Sequence, residues 1–164
     1  MKLKFNILII FCIITAFFIS SCASPSYSAS MTSSELTAAL SEKIPQLSDY
    51  KEYDSKTVSF LIGDIDEAHE VSMLYSPSSD DQGEIGIIKA ENANDASALL
   101  NIANNYISNL QSEKRSFVEN YLPDEIDKIE GAEARKFGNY VAFAVLDSKT
   151  RTEFFAEIEN FLKK

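Results

Sequence analysis

Hydrophobic residues follow two spacings along residues 32–164. In some segments they recur every three or four positions, as in an amphipathic helix, and in others they form short β-branched runs, as in strands. Helical spacing begins after Thr32 and ends at Pro45. Glu35 follows Thr32 by three residues, which is the spacing of a capping box. This pattern predicts a first helix over 33–44.

Two pairs of short runs predict β-hairpins. In the first pair, a run that begins at His69 alternates apolar and polar residues, and an isoleucine-rich run begins at Glu84. The polar segment between them contains Pro, Asp and Gly, which is typical of a turn. In the second pair, runs over 132–137 and 140–146 flank a Gly-Asn dipeptide, which favours a tight primed turn.

The strongest periodic signal lies between the two hairpins. Apolar residues hold one face of a helix for about 27 residues until Pro123, which predicts a rod roughly 40 Å long laid across the sheet. We expect this face to be buried and the opposite face, which carries Asn105, to be exposed. The apolar positions are Ala96, Leu99, Leu100, Ala103, Ile107, Leu110, Phe117, Val118 and Tyr121.

Two further helices complete the predicted order of elements. The apolar run over 57–62 fits a helical turn or a strand, and we favour a short helix. A terminal helix is predicted from Thr150, which has Glu153 three residues later at capping-box spacing. Each hairpin is therefore followed by a helix. The sequence predicts an α+β domain in which two hairpins form a four-stranded, mainly antiparallel sheet with helices covering one face.

The beginning of the chain has the pattern of a secreted lipoprotein. Two lysines precede an apolar run over 5–19, which is shorter than the roughly 20 residues that a membrane span needs. The tetrapeptide ISSC that ends at Cys22 resembles the lipobox of bacterial lipoproteins. We expect a signal peptide over 1–21, a diacylglyceryl group on Cys22 and a flexible tether over 22–31 before the single domain at 32–164. A secretory signal with a chance cysteine and an uncleaved anchor helix are the alternatives.

The negative net charge of the chain disfavours some classes of binding partner. It has 25 acidic and 15 basic residues, and removal of the leader takes away two basic residues and leaves a net charge near -12. Such a surface disfavours nucleic acid and anionic lipid. We expect attachment to the extracytoplasmic face of the cell membrane through Cys22 alone. With Cys12 in the leader and Cys22 lipidated, no thiol remains for a disulfide, a metal site or a nucleophile.

Residues with recognisable chemistry are few. His69 is the single histidine, and no zinc motif or catalytic relay surrounds it. Asp80, Asp81 and Glu84 cluster at the turn of the first hairpin, which is typical of a solvated tip, of weak calcium binding or of the carboxylate pair of a glycosidase. No glycine-rich phosphate loop occurs. We predict no catalytic, cofactor-binding or metal-binding residues.

Three stretches resemble a known family. They are Glu84-Ile85 through Lys89-Ala90, Phe117-x-x-x-Tyr121-x-Pro123-x-Glu125 and Gly138-Asn139-Tyr140-Val141. Together they resemble a family of Gram-positive lipoproteins that is classified only as a domain of unknown function, DUF4358. Gly86 departs from the pattern, where a strand side chain is expected. The resemblance implies a signal peptide, a lipobox and one small domain, and it implies no activity or site residues.

These observations favour a lipid-anchored extracytoplasmic module that binds or assists an unidentified envelope protein without enzymatic activity. The alternative is a small cell-envelope hydrolase that uses Asp80, Asp81 or Glu84. A substrate-binding lipoprotein of a transporter is a third interpretation, although such proteins usually have two lobes. Carboxylates that converge in a pocket would favour the enzyme, and an exposed apolar patch would favour the binding module.

Overall fold

The computed structural model describes Tyr27 and residues 30–163. Five strands in this part of the chain form one antiparallel sheet, and helices pack against it. The predicted α+β class is therefore confirmed. The predicted signal peptide, 1–21, and Cys22 lie outside the described residues. No helix among the described residues is long and apolar enough to span a membrane.

The predicted helices and strands occur in the predicted order along the chain, together with a two-residue strand and a five-residue helix. The helices are α1 (Ser33–Lys43), α2 (Ser55–Ile62), α3 (Asp95–Tyr121), α4 (Ile126–Glu130) and α5 (Ser148–Leu162). The strands are β1 (Lys51–Glu52), β2 (Glu70–Tyr75), β3 (Glu84–Lys89), β4 (Glu133–Phe137) and β5 (Tyr140–Val145). Short 3₁₀ turns lie at Pro45–Leu47 and Pro123–Glu125. The strand order is β1-β2-β3-β5-β4, and every neighbouring pair is antiparallel.

The sheet has one more strand than the four that the sequence predicts. The additional strand, β1, is only two residues long and pairs with the end of β2. Two residues carry no hydrophobic period, so the sequence gives no signal for this strand. The two predicted hairpins join where β3 pairs with β5, from Glu84 opposite Val145 to Lys89 opposite Tyr140.

Helices cover both faces of the sheet, whereas the sequence analysis predicts them on one face. Successive strand residues point to opposite faces. Ile85 and Ile87 pack in one core with α1 and α5, and Ile88 packs in a second core with α2 and α3. Residues of β3 and β5 are buried at almost every position. Such a near-continuous apolar run is typical of a strand with both sides covered.

Side chains determine where the first and last helices begin. The capping box before α1 is confirmed, because Thr32 N–H donates to Glu35 Oε2 at 2.7 Å and Glu35 N–H donates to Thr32 Oγ1 at 3.1 Å. Helix α5 begins earlier than predicted. Asp147 Oδ1 accepts the N–H groups of Lys149 and Thr150 at 3.1 Å each. Aspartate is a favoured N-cap, and Thr150 lies inside the first turn.

The apolar stripe of α3 packs on the sheet over most of its length, as predicted. Leu99 and Leu110 are buried, and Asn105 on the opposite face is exposed. The last turns differ from the prediction, because Phe117 is 54% and Tyr121 is 72% exposed. A helix of 27 residues is roughly 40 Å long, whereas a strand of six residues spans about 20 Å. The end of α3 therefore extends beyond the sheet.

Residues of the predicted tether contact the domain before α1 begins. Tyr27 forms an antiparallel bridge with Lys163, and its ring packs edge-on against Phe137 with centroids 5.7 Å apart. The carbonyl oxygen of Met31 accepts the Tyr140 hydroxyl at 2.6 Å. Tyr27 and Met31 are both partly buried against the core formed with α1 and α5. The chain thus enters the fold beside the β4–β5 turn.

Candidate functional site

A cavity of about 300 Å³ opens between α2, α3 and the first residue of β3. Its lining combines aromatic, aliphatic and charged side chains. The lining residues are Tyr53, Phe60, Leu61, Glu84, Tyr106, Asn109, Leu110, Glu113 and Lys114. Glu84 is only 5% exposed. A buried carboxyl group in an open cavity is the strongest chemical feature of the described residues, and we take this cavity as the candidate site.

Two tyrosine hydroxyls hold the Glu84 carboxyl group. Tyr106 donates to Oε1 at 2.5 Å, and Tyr53 donates to Oε2 at 3.2 Å. Burial raises the pKa of Glu84 above its ordinary value, and the hydroxyl of Tyr106, the charge of Lys114 and the hydroxyl of Tyr53 offset this only in part. Burial and the nearby Glu84 charge also raise the pKa of both tyrosines. Both hydroxyls therefore stay protonated and able to donate.

Gly86 positions the tyrosine of α3 that contacts Glu84. It lies opposite Phe143 in the β3–β5 pair. A Cβ atom at Gly86 would lie 2.1 Å from Cε1 of Phe143, so only glycine leaves room for this ring. The Phe143 ring in turn packs against Tyr106, with centroids 5.3 Å apart. The absence of a side chain at Gly86, which departs from the expected strand pattern, thus helps to place Tyr106 over Glu84.

The second tyrosine reaches Glu84 from the segment between β1 and α2. Tyr53 N–H donates to the carbonyl oxygen of Met73 at 3.0 Å, which continues the pairing of β1 with β2. The Tyr53 ring stacks on Tyr75 with centroids 4.4 Å apart. Helix α2 follows directly and carries Phe60, which is 87% exposed at the mouth of the cavity. An aromatic ring is therefore present both beside Glu84 and at the entrance.

Charged side chains of α3 surround the mouth. Glu113 and Lys114 both line the cavity and are exposed. Lys114 Nζ donates to Gln82 Oε1 at 3.2 Å and so forms a polar contact with the β2–β3 loop. The cavity lining carries two carboxyl groups and one ammonium group. A cationic ligand would meet net attraction if both carboxyl groups were ionised.

The acidic residues of the first hairpin have separate surroundings. Asp81 Oδ1 contacts Lys128 Nζ at 2.7 Å, and Lys128 also contacts Glu125 at 2.7 Å. Burial alone would raise the pKa of Asp81, but hydrogen bonds from Lys128 and from Gly83 N–H outweigh it and leave the pKa below its ordinary value. The Asp81 carboxylate is thus used to attach the hairpin loop to α4.

The other predicted candidates do not join Glu84 in the cavity lining. Asp80 is exposed at the loop tip. His69 Nδ1 accepts the N–H of Glu91 at 3.2 Å, which links the start of β2 to the segment after β3. In the part of the chain that the structure describes, no group of three or more His, Cys, Asp or Glu side chains is placed to hold a metal ion. Sequence analysis noted Glu84 only as one of three clustered acidic residues, and it gave no signal for Tyr53 or Tyr106.

Residues 64–146 match the family described as "Domain of unknown function (DUF4358)". The match covers half of the chain and confirms the resemblance found in the sequence. The chain belongs to this family. The DUF4358 region contains Glu84 and Tyr106, whereas Tyr53 and Phe60 precede it. The cavity is therefore completed by the segment N-terminal to the DUF4358 match. No curated protein and no solved structure matches the chain.

The raised pKa of Glu84 predicts how stability depends on pH. When folding raises the pKa of a carboxyl group, the group contributes to stability in its protonated form. This contribution is complete at a pH below the pKa of the unfolded state, and it is lost as the pH rises through the pKa of the folded state. Gln has no such charge to bury and can still hydrogen-bond both tyrosines. We expect Glu84→Gln to be more stable than the wild type at alkaline pH, with the difference narrowing towards acid pH.

Thermal unfolding followed by circular dichroism from about pH 4 to about pH 9 measures this difference. Glu67→Gln, at an exposed position outside the cavity lining, is the control and should keep the pH profile of the wild type. Parallel profiles for the wild type and Glu84→Gln would show that the Glu84 carboxyl is not destabilised by burial.

Proposed function

We propose that this protein is a lipid-anchored, non-enzymatic binding module at the extracytoplasmic face of the cell membrane, with the cavity at Glu84 as its ligand site. The observation that carries the proposal is the buried Glu84 carboxyl group in an open cavity. Burying a carboxyl group destabilises a protein unless hydrogen bonds compensate. Perturbed titratable groups in clefts are therefore candidates for functional sites.

The lining of the cavity supports binding over hydrolysis. Glycoside hydrolysis uses two carboxyl groups on either side of the bond that breaks. The hydrolase interpretation uses Asp80, Asp81 or Glu84, and of these three residues only Glu84 lines the cavity. A second carboxyl group, Glu113, does line the cavity with Glu84, which is the feature that favours a hydrolase, but its side chain is exposed at the mouth. Among the described residues, no Ser, Cys or His lines the cavity.

An envelope protein as partner is a second candidate function. Phe117 and Tyr121 lie at the end of α3 that extends beyond the sheet, with ring centroids 5.1 Å apart and both side chains exposed. Exposed aromatic residues that lie together are typical of protein contact surfaces. Phe117 follows the cavity residues Glu113 and Lys114 by one helical turn, so one partner would cover both features.

The contact of Tyr27 with the domain supports a defined orientation on the membrane. Tyr27 is five positions after Cys22, so the extended chain between them spans at most about 18 Å. A lipid on Cys22 would hold the β4–β5 turn close to the membrane. Lys89, at one end of β3, is next to that turn, and Glu84 is at the other end of the strand. Glu84 and Lys89 are therefore roughly 17 Å apart along β3. We therefore propose that the cavity faces away from the membrane and takes its ligand from the envelope.

The anchor is tested by Cys22→Ser in the living cell. We expect the variant either to keep its signal peptide or to leave the membrane fraction after a high-salt wash, because acyl burial is the stable anchor of the processed protein. Cys12→Ser, within the predicted leader, is the matched control and should fractionate like the wild type. Processed Cys22→Ser protein that stays with the washed membranes would refute the lipid anchor.

The orientation is tested by fluorescent labels on introduced cysteines in the membrane-bound protein. Lys136 lies on β4 near the β4–β5 turn, and Asp80 lies on the loop before Glu84; both are exposed. We expect spin-labelled lipids to quench a label at Lys136→Cys more strongly than one at Asp80→Cys. Equal quenching, or stronger quenching at Asp80→Cys, would contradict the proposed orientation.

A further inference from the structure

We propose that the cavity binds a small organic cation whose ammonium group contacts the Glu84 carboxylate beside the rings of Tyr53 and Tyr106. This inference rests on the proposed function, because it assigns a ligand class to the same cavity. It follows from three features of the lining: a buried carboxyl group, aromatic rings from separate elements, and an excess of acidic over basic side chains.

The carboxyl group supplies the charge that a cation requires. Each oxygen of Glu84 accepts one tyrosine hydroxyl, and a carboxylate has about four lone-pair sites. An ammonium group in the cavity therefore finds unused acceptors. A hydrogen bond between two charged groups away from bulk water is stronger than one between neutral groups. Binding of a cation would also favour the ionised form of Glu84, which burial alone disfavours.

Aromatic rings supply the second part of the site. Tyr53 comes from the β1–α2 connection, Phe60 from α2 and Tyr106 from α3, and all three line the cavity. The face of an aromatic ring attracts a cation, and several rings around one ammonium group form the usual site for alkylammonium ligands. Leu61 and Leu110 add apolar lining for an alkyl chain. The volume of about 300 Å³ lies at the lower end of small-molecule sites.

Lys114 is the side chain that competes with such a ligand. In the part of the chain that the structure describes, it is the only basic residue that lines the cavity, and its ammonium group contacts Gln82 on the adjacent loop. A flexible lysine at the mouth can provide a positive charge near Glu84 when the cavity is empty. Removal of this charge should therefore strengthen the binding of a cation, whereas a site for anions would be weakened by the same change.

Calorimetric titration of the full chain with butylammonium chloride tests the ligand class, with butan-1-ol as the neutral probe of similar size. We expect butylammonium to bind and butan-1-ol to bind about tenfold more weakly or worse, because the charged hydrogen bond is lost. Affinity for butylammonium should rise with pH as Glu84 ionises. The other titratable groups facing Glu84 are Tyr53, Tyr106, Glu113 and Lys114, and Tyr75 stacks behind Tyr53.

Three variants make the test specific to Glu84. Glu84→Gln should lower the affinity for butylammonium about tenfold or more and remove its pH dependence. Lys114→Gln should raise the affinity. Glu119→Gln, on the same helix but outside the cavity lining, is the control and should bind like the wild type. Circular dichroism confirms that each variant is folded, and Glu84→Gln is expected to be at least as stable as the wild type.

Equal binding of butylammonium and butan-1-ol, no binding of butylammonium, or undiminished binding by Glu84→Gln would each overturn the ligand class. None of these results bears on membrane attachment, because the anchor is tested separately at Cys22. If processed Cys22→Ser protein stayed with the washed membranes while butylammonium bound as expected, the lipid anchor would be refuted and the cation site would stand.

Discussion

Hydrogen bonding of the buried Glu84 carboxyl group is the constraint on which the candidate site depends. Glu84 begins a central strand and is only 5% exposed, so its oxygens need hydrogen-bond partners within the protein. The two hydroxyls that satisfy them come from Tyr53, before α2, and from Tyr106, on the long helix α3. These two hydrogen bonds link α3 and the segment before α2 to one end of the sheet, beside the cavity. The same two hydrogen bonds thus define the site.

Much of the architecture was predictable because helices and hairpins have local signals. The signals for the capping box at Thr32, the stripe of α3 and the Gly-Asn turn are all local. The capping box and the turn were confirmed, and the stripe was confirmed except in its last turns. The prediction that helices cover one face of the sheet was wrong. It treated β3 and β5 as strands with one buried face, although their near-continuous apolar runs are typical of strands buried on both faces. The exposure of Phe117 and Tyr121 depends on where the sheet ends, which helical periodicity does not encode.

The site was only partly predictable, for a physical reason. Glu84 was noticed with Asp80 and Asp81 because the three are close in sequence. The pairing of Asp81 with Lys128 and of Glu84 with two tyrosines depends on contacts across the fold. No spacing rule connects Glu84 with Tyr53 or Tyr106. One signal was present: Glu84 is an acidic residue directly before a buried apolar run, and Gly86, on the same strand face, marks the close approach of an aromatic ring.

Membership of DUF4358 supplies no activity, so the proposed function depends on the chemistry of Glu84. The most direct test is a titration of its side-chain carboxyl carbon by ¹³C NMR, assigned with Glu84→Gln, in the free protein and with saturating butylammonium. Our account predicts a midpoint above that of ordinary glutamates in the free protein and a lower midpoint with the cation bound. An ordinary midpoint in the free protein, or one that the cation leaves unchanged, would contradict it.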